Sequence, residues 1–332
     1  MLGIARARQN LIACTGIVGA ALLAASAAFA QSYPAAPVRV WVPFGAGGAT
    51  DVVARVFADQ LQQRMGQSFT VENRTGAAGQ IAAAAFARAP ADGSTLFFTT
   101  VAPVTVAPLM NKVAYDPRKD FVPIAVVAVQ PVWVVVNAKS PFKSLADIVK
   151  QAKDQPGKLN YGTSGVGTEL HLAAEAVAQS AGIQLVHVPF RGGGEVITAL
   201  LGSNIDFATL STASIAGAVR QGTLRVLAVS SPKRMADFPD VPTFAELGYA
   251  GATMVPWWGL MAPAGTPQPI LDRLGAELEA ATKDAGLRER LKATFVQIEY
   301  AGPQEFARRL EAETALYGDI IRAAKITMPK SK

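Results

Sequence analysis

Short runs of β-type residues alternate with helix-type patterns along most of this chain of 332 residues. In the segment 51–64 the apolar residues recur at the 3.6-residue period of a helix that buries one face. This alternation is typical of α/β architecture, in which helices pack on a largely parallel sheet. Strands are predicted at 38–42, 68–72, 95–99, 123–129, 132–137, 158–162, 185–189, 205–210, 224–229 and 257–262. Helices are predicted at 51–64, 78–88, 145–153, 267–283 and 303–324.

Several element boundaries carry recognisable capping chemistry. Ser144 stands where a helix N-cap belongs, directly before an amphipathic run. Thr243 and Glu246 have the spacing of a capping box. Thr266 followed by Pro267 is the pair expected for an N-cap and the first helical residue.

The two most apolar strands, 132–137 and 257–262, each fall at a change of pattern. The economical arrangement makes them the two crossings between two α/β lobes. The first lobe would comprise 31–131 and 256–332, and the second lobe 132–255. A chain of this kind places its ligand cleft between the lobes, at the carboxyl ends of the strands.

The N-terminus has the pattern of an export signal. Arg6 and Arg8 precede an apolar run at 11–23, and an A-x-A site ends at Ala30. We therefore expect residues 1–30 to be a signal peptide, cleaved after Ala30, and the mature chain to be a soluble periplasmic protein. A lipoprotein anchored through Cys14 is disfavoured, because almost no apolar run precedes that cysteine.

Composition narrows the chemistry that the chain can perform. It has two histidines and a single cysteine, Cys14, so neither a disulfide nor a cysteine metal site is expected in the mature protein. We expect no metal and no cofactor. The net charge is +6, and its scattered basic residues form no stripe interleaved with aromatics, so nucleic acid is not an expected partner.

Four strand-to-helix turns share one composition, rich in glycine with Ser, Thr or Asn nearby. They lie at 43–51, 72–80, 161–171 and 189–195. Glycine lets backbone N–H groups approach a ligand closely, and a helix N-terminus favours an anion. One such turn is common in α/β proteins, but two in each expected lobe indicate an anion-binding cleft.

Enzyme motifs are incomplete at these turns. A dinucleotide fingerprint has Thr50 where its third glycine belongs, and no turn continues into the G-K-[ST] of a P-loop. A nucleophile elbow at Ser164 has Val166 in place of the last glycine. A secreted hydrolase using Ser164 and His171 nevertheless stays open as an alternative.

Individual polar residues have both structural and functional interpretations. His171 is either a structural helix residue bonded to a neighbouring loop, or a functional contact to the ligand or to the site-forming loops. His187, in a strand, is interpreted as structural. Arg191 either pairs with a carboxylate or faces solvent. Asp51 is interpreted as an N-cap or an interlobe hydrogen-bond acceptor. Of the adjacent Trp257 and Trp258, which face opposite sides of a strand, one is expected in the core and the other is a candidate for the cleft.

The order of these segments resembles the solute receptors of tripartite tricarboxylate transporters, the Bug family. The resemblance spans almost the whole chain beyond residue 30. It rests most on Asp51 to Arg55 after the first turn, the Asn73 turn, and Gly-x-Gly-Thr-x-x-His from Gly165 to His171. The late segment APAGTP is a further match.

This resemblance implies a type II periplasmic-binding-protein fold whose two lobes close on an organic carboxylate. It implies that backbone amides, hydroxyls and water from the first and third turns hold the ligand. The implied ligand-binding residues are Phe44, Gly45, Ala46, Gly47, Gly48, Asp51, Thr99, Thr100, Ser164, Gly165, Thr168, His171 and Arg191. Arg191 stands where the family usually has Lys, and its bidentate fork suggests a second acid group on the ligand.

The function that follows is capture of a small carboxylate and its delivery to membrane transporter subunits, without catalysis. A monomer is expected. A solute sensor that signals to a membrane kinase is a second alternative. Amino acids, di- or tricarboxylates, nicotinate-like acids and aromatic diacids all remain candidates, and Phe44, Trp257 and Trp258 lean slightly towards an aromatic acid.

Overall fold

The computed structural model describes residues 33–190, 192–292 and 294–326, without the side chain of Ala213. The strands are β1 Val38–Val42, β2 Phe69–Asn73, β3 Thr95–Thr100, β4 Phe121–Val129, β5 Val132–Asn137, β6 Asn160–Thr163, β7 Val186–Pro189, β8 Phe207–Ser211, β9 Leu224–Val229, β10 Trp257–Pro263 and β11 Gln297–Ala301.

The α-helices are α1 Ala49–Met65, α2 Gln80–Phe86, α3 Ala107–Met110, α4 Pro117–Asp120, α5 Leu145–Asp154, α6 Glu169–Ala181, α7 Gly193–Leu201, α8 Thr212–Arg220, α9 Gln268–Thr282, α10 Ala285–Lys292 and α11 Pro303–Ala323. Short 3₁₀ turns occur at Ala77–Gly79 and Ala250–Ala252, and a π-helical turn at Ala102–Val106.

The first sheet has the strand order β11-β4-β10-β3-β1-β2. β1 runs parallel to both β2 and β3, so the loops after these strands leave the sheet at one edge. β10 is antiparallel to both β3 and β4. Strands β1, β3 and β10 therefore bring the turn after Val42, Thr99–Thr100 and the tryptophan pair to one end of the sheet.

The second sheet has the order β7-β6-β8-β5-β9. β6 is parallel to β7 and β8, and β5 is antiparallel to β8 and β9. The carboxyl ends of β6, β7 and β8 thus share an edge, and the helices α6, α7 and α8 begin there. Both sheets are mixed, because β5 and β10 run against the parallel strands around them.

The predicted crossing strands are central members of the two sheets, and the chain crosses just before each of them. It leaves the first sheet between β4 and β5, and it returns between β9 and β10. The crossings lie side by side, since Gln130 N–H donates to Pro256 O at 2.8 Å. Val132 N–H also donates to Ser230 Oγ at 2.8 Å, which ties the outgoing strand to the returning one.

α11 links the two sheets through packing as well. Gln179 Nε2 on α6 donates to Ile320 O on α11 at 3.2 Å. One apolar cluster contains buried residues of both sheets and of α11, among them Phe97, Val134 and Tyr317. Two α/β sheets with helices on their faces, joined by paired crossings, agree with the expected type II binding-protein fold.

Every predicted strand and helix overlaps an observed one, with differences at the ends. Among the residues it describes, the structure adds one strand, β11, and six helices that had no predicted bounds, α3, α4, α6, α7, α8 and α10. The strands at 38–42, 132–137 and 224–229 have the predicted bounds, and every other predicted strand overlaps an observed one. The prediction missed β11, an edge strand in which polar and apolar residues alternate. The predicted helix at 78–88 is shorter, because Gly79 has a φ of 89° and α2 begins only after it.

Two of the three predicted caps are confirmed. Ser144 forms a capping box with Asp147 at α5, and Glu246 and Thr243 exchange hydrogen bonds of 2.8 and 3.2 Å. The predicted cap at Thr266 is wrong. Its hydroxyl donates to Pro263 O at 2.8 Å, and Pro267 takes the N-cap position of α9.

Candidate functional site

The first predicted turn joins β1 to α1 and is held from inside by one carboxylate. Asp51 is 2% exposed and accepts hydrogen bonds from Gly47 N–H at 2.9 Å and from Asn73 Nδ2 at 2.8 Å. Arg55 Nε donates to the same carboxylate at 3.0 Å. The Asn73 amide also reaches Phe44 O at 2.9 Å. The turn at 72–80 therefore supports the first turn.

The role of Asp51 differs from both interpretations made from the sequence. Gly48 is the N-cap of α1, and the partners of Asp51 all belong to the first sheet's part of the chain. Burial pushes the pKa of Asp51 upwards, but the hydrogen bonds from Arg55, Gly47 and Asn73 outweigh it and hold the pKa below its usual value. Asp51 is an ionised internal brace, already neutralised by Arg55.

The outer side of this turn offers backbone donors. Gly45 to Gly48 are exposed. Gly48 N–H is used within the turn, donating to Gly45 O at 3.2 Å, whereas the first N–H groups of α1 have no partner inside the helix. Those groups and the helix dipole make the start of α1 a site for an anion.

The two tryptophans are both fully buried, so the expectation that one faces the cleft is wrong. Trp258 is 0% exposed, and its indole N–H donates to Thr50 Oγ1 at 3.0 Å, directly beneath the first turn. Trp257 is also 0% exposed and donates to Glu313 Oε2 at 2.8 Å. Both polar N–H groups find protein partners, which is what burial of an indole requires.

The third predicted turn joins β6 to α6 and has a comparable build. Thr168 is the N-cap of α6, and its hydroxyl accepts from His171 N–H at 3.3 Å. The same hydroxyl donates to Gly165 O at 3.0 Å. Gly165 has a φ of 133° and Gly167 a φ of 74°, conformations that favour glycine. Ser164, Gly165 and Thr168 are half-buried at the open side of this turn.

His171 braces the turn from below. It is 5% exposed, and its Nδ1 accepts from Gly167 N–H at 3.1 Å, so the proton of the neutral ring sits on Nε2. Its ring stacks on His187 with a centroid distance of 3.9 Å. Burial and the neighbouring His187 lower the pKa of His171 to about 3. His171 thus contacts a site-forming loop, which both interpretations from the sequence include, and its contact to the ligand stays a prediction.

The geometry does not assemble a Ser164–His171 catalytic pair. The Nδ1 lone pair of His171 is used by Gly167, and its Nε2 lies 3.9 Å from Glu175 Oε1. Within the ranges that the structure covers, no hydrogen bond joins Ser164 to either histidine. A nucleophile needs a base within hydrogen-bond reach, and none is placed here.

The remaining predicted residues are not shown at a surface that a ligand could reach. Thr99 and Thr100 lie at the predicted edge of the sheet, but their exposed fractions are only 0% and 3%. Arg191 lies outside the described residues. Its role in ligand binding and that of the threonines stay predictions.

One cavity lies between the first turn and Ser214 on α8, a helix of the second sheet's part of the chain. It has a volume of about 290 Å³ and is lined by Gly47, Gly48, Ala49, Val52, Val53, Ser214, Thr294 and Val296. Ser214 lies in the first turn of α8, just after β8, and it was not among the predicted site residues. Its position just after the carboxyl end of a parallel strand could have indicated it, but this strand-to-helix junction contains no glycine. A separate cavity of about 410 Å³ beside α11 contains none of the predicted residues.

No hydrogen bond or ion pair between described residues connects 44–51 with 163–171. Across the same described ranges, no group of three or more His, Cys, Asp or Glu residues could hold a metal ion. The helices that could be searched are all too short or too polar to cross a bilayer.

Comparison with known proteins identifies the family. The model of the tripartite tricarboxylate transporter family receptor, TctC, matches residues 53–326. The chain is 34% identical to Protein BugT of Bordetella pertussis over 315 residues, covering 94% of this chain and 97% of BugT. Family membership therefore extends over nearly the full length of both proteins.

Solved structures agree with the fold. A protein of R. palustris solved with adipate superposes with a TM-score of 0.79 at 31% identity, covering 89% of this chain and 99% of its own. MatC from Rhodopseudomonas palustris, solved with bound malate, gives a TM-score of 0.76 at 30% identity, with 87% and 100% coverage. Family and fold point to a solute-binding receptor rather than an enzyme. The chain belongs to the tripartite tricarboxylate transporter receptor family of periplasmic solute-binding proteins, which includes the Bug proteins.

Proposed function

We propose that this protein captures a small organic carboxylate between two lobes and delivers it to the membrane subunits of a tripartite tricarboxylate-type transporter. One observation carries the proposal. Each sheet contributes a strand-to-helix turn, at 43–51 and at 161–171, that is braced internally and leaves helix N-terminal N–H groups without an internal partner. Two such donor sets suit an acid held from both sides.

The energetics are adequate for reversible binding. A hydrogen bond to a charged group contributes about 1.5–3 kcal/mol. Micromolar affinity requires about −8 kcal/mol net, so a handful of such bonds can offset the cost of closing the lobes. No catalytic group is required, and the bracing of Asp51 and His171 leaves neither available as a base.

Diacids are favoured as ligands. The related proteins solved with adipate and malate both hold dicarboxylates. The slight preference for an aromatic acid loses its main support here, because Trp257 and Trp258 are buried and hydrogen-bonded inside the first sheet's part of the molecule. A second acid group would have Arg191 as its proposed partner.

The organisation around the site is part of the same proposal. We assign 31–131 with 256–332 to one lobe and 132–255 to the other, in line with the membership of strands in the two sheets. Export with cleavage after Ala30 and a monomeric state complete the proposal. A sensor that signals to a membrane kinase is the alternative, and a pull-down that recovers a kinase instead of transporter subunits would favour it.

A proline at the first position of α1 tests the site. Ala49 lines the cavity and is the first helical residue, and Gly48 before it has φ −73° and ψ 164°, which a following proline accepts. Ala49→Pro therefore removes one N–H and leaves the helix intact. The control Ala49→Ser keeps the N–H.

Binding is measured by calorimetry with adipate, malate, benzoate and terephthalate. We expect Ala49→Pro to bind the acid about tenfold more weakly or worse, because it loses a hydrogen bond to a charged group. Ala49→Ser should bind with the affinity of the wild type. Equal affinity in both variants would place the carboxylate elsewhere. Turnover of an ester that disappears in Ser164→Ala would instead support the hydrolase.

A further inference from the structure

Thr163, the last residue of β6, lies beneath the third turn and was not among the predicted site residues. It is 0% exposed. Its hydroxyl lies 3.0 Å from Gly165 O, 3.3 Å from Gly165 N and 2.7 Å from His187 Nε2. This one hydroxyl therefore meets both polar groups of the glycine that shapes the turn.

Hydrogen-bond capacity fixes the direction of these three bonds. A hydroxyl has one proton to donate and two lone pairs to accept with. All three contacts are satisfied when Thr163 donates to Gly165 O and accepts from Gly165 N–H and from His187 Nε2–H. The assignment requires a proton on Nε2 of His187, and the imidazole then directs the threonine proton towards Gly165.

The orientation of Gly165 O decides where the next N–H points. Two hydroxyls, those of Thr163 and Thr168, each donate to this oxygen at 3.0 Å. In a planar trans peptide the C=O and the following N–H point in opposite directions. Because Gly165 O is turned towards these two hydroxyls, the N–H of Val166 points away from both of them.

His187 is itself held in place by neighbouring rings. It stacks on Tyr161 at 4.9 Å and on His171 at 3.9 Å between ring centroids. Tyr161 is anchored in turn, because its hydroxyl donates to Glu175 Oε1 on α6 at 2.5 Å. The support extends from α6 through two strands to the threonine.

We propose that Thr163 and His187 are positioning residues that hold the Gly165–Val166 peptide so that the Val166 N–H donates to the bound carboxylate. This inference rests on the proposed function, since it assumes an acid at the third turn. Neither residue touches the ligand. Val166 contributes its backbone N–H to this contact.

Two pairs of variants test the proposal. Thr163→Val keeps the shape and removes the hydroxyl, whereas Thr163→Ser keeps the hydroxyl. His187→Gln keeps a donor near the Nε2 position, whereas His187→Leu removes it. With the same four acids as probes, we expect Thr163→Val and His187→Leu to bind about 5- to 50-fold more weakly than the wild type, the range expected for a lost hydrogen bond. Thr163→Ser and His187→Gln should keep most of the affinity.

The amide of Val166 gives a direct readout that a purely structural role would not change. In ¹⁵N-labelled wild-type protein, we expect its proton resonance to move downfield when the acid binds, and this shift to shrink in Thr163→Val. Binding that is equal in all four variants, or a Val166 amide that does not respond, overturns the inference while leaving the receptor function intact. Should Thr163→Val not fold, the His187 pair and the wild-type amide shift decide.

The outcomes separate this inference from the proposed function. If the wild type binds none of the four acids, the receptor proposal fails and takes this inference with it. If the wild type binds and Ala49→Pro weakens binding, but the Thr163 and His187 variants do not, only the positioning role fails.

Discussion

At the scale of single residues, burial keeps the imidazole pair under the third turn neutral. Burial lowers the pKa of His187 to about 4, and burial together with His187 lowers that of His171 to about 3. The titratable groups that face these two rings are Tyr161 and Glu175, and the two imidazoles also face each other. Burial raises the pKa of the Glu175 carboxyl. The two imidazoles under the turn are thus uncharged throughout the neutral range.

Titration of His171 is therefore predicted to make the stability of the protein depend on pH. Its pKa is 6.5 when unperturbed and about 3 when folded, so the unfolded chain binds an extra proton between these values. The contribution of neutral, buried His171 to the free energy of unfolding is complete above pH 6.5 and is lost as the pH falls towards 3. His171→Asn keeps an acceptor for Gly167 N–H and removes the titration.

Urea unfolding at pH 7 and pH 5 measures the effect. We expect the free energy of unfolding of the wild type to fall by about 2 kcal/mol more than that of His171→Asn, since each pKa unit corresponds to about 1.4 kcal/mol. Parallel pH profiles of the two proteins would show that His171 is not held neutral by the fold.

At the scale of elements, α11 fastens the region where the chain crosses between sheets. Arg309 Nε donates to Glu313 Oε1 at 2.9 Å, and Arg309 also bonds to Val255 O just before β10. Glu313 accepts from the Trp257 indole at 2.8 Å. The side chains of Arg309 and Glu313 are 18% and 12% exposed, so this pair is largely desolvated.

Breaking the pair should therefore cost more than breaking a surface pair on the same helix. Glu313→Gln removes one carboxylate from Arg309, which keeps its ion pair with Glu299 at 3.0 Å and its bond to Val255 O, so we expect a cost of about 1.5–3 kcal/mol, the contribution of a hydrogen bond between charged groups. Glu305→Gln is the control, because its pair with Arg308 is 58% and 71% exposed, and exposed pairs contribute about 0–1 kcal/mol. Chemical denaturation of both variants compares the costs, and similar losses would mean that the α11 network does not fasten the crossing.

At the scale of the whole molecule, the paired crossings leave room for one lobe to move against the other. The backbone links between the sheets are confined to two neighbouring stretches, joined by Gln130 N–H and Pro256 O. The turns at 43–51 and 161–171 make no hydrogen bond with each other in the described ranges. A ligand that bonds both would draw them together, as in hinge closure.

Closure is accessible to small-angle X-ray scattering of the mature chain. We expect the radius of gyration to decrease at saturating acid towards the value of about 19 Å for a compact chain of about 300 residues. Ala49→Pro, examined at the same acid concentration, should remain closer to the unliganded value. A radius unchanged by the acid in the wild type would argue for binding without closure.

Much of the fold was predictable because the sequence patterns that indicate its strands, helices and turns are local. The alternation of strand and helix patterns placed β1, β5 and β9 at their observed bounds. β11 was missed, although its residues alternate polar and apolar, because a short edge strand has little apolar character of its own. The glycine-rich turns were found since their composition is confined to a few adjacent residues.

The sequence by itself determined the α/β class, the strand-to-helix turns and their suitability for an anion, because periodicity and turn chemistry act over a few neighbouring residues. Only the tertiary structure decided which distant groups brace those turns. Asn73 reaches Asp51 across 22 positions, His187 reaches Thr163 across 24, and Trp258 reaches Thr50 across 208. Such pairings depend on strand order and on the crossing between sheets, which no local pattern specifies.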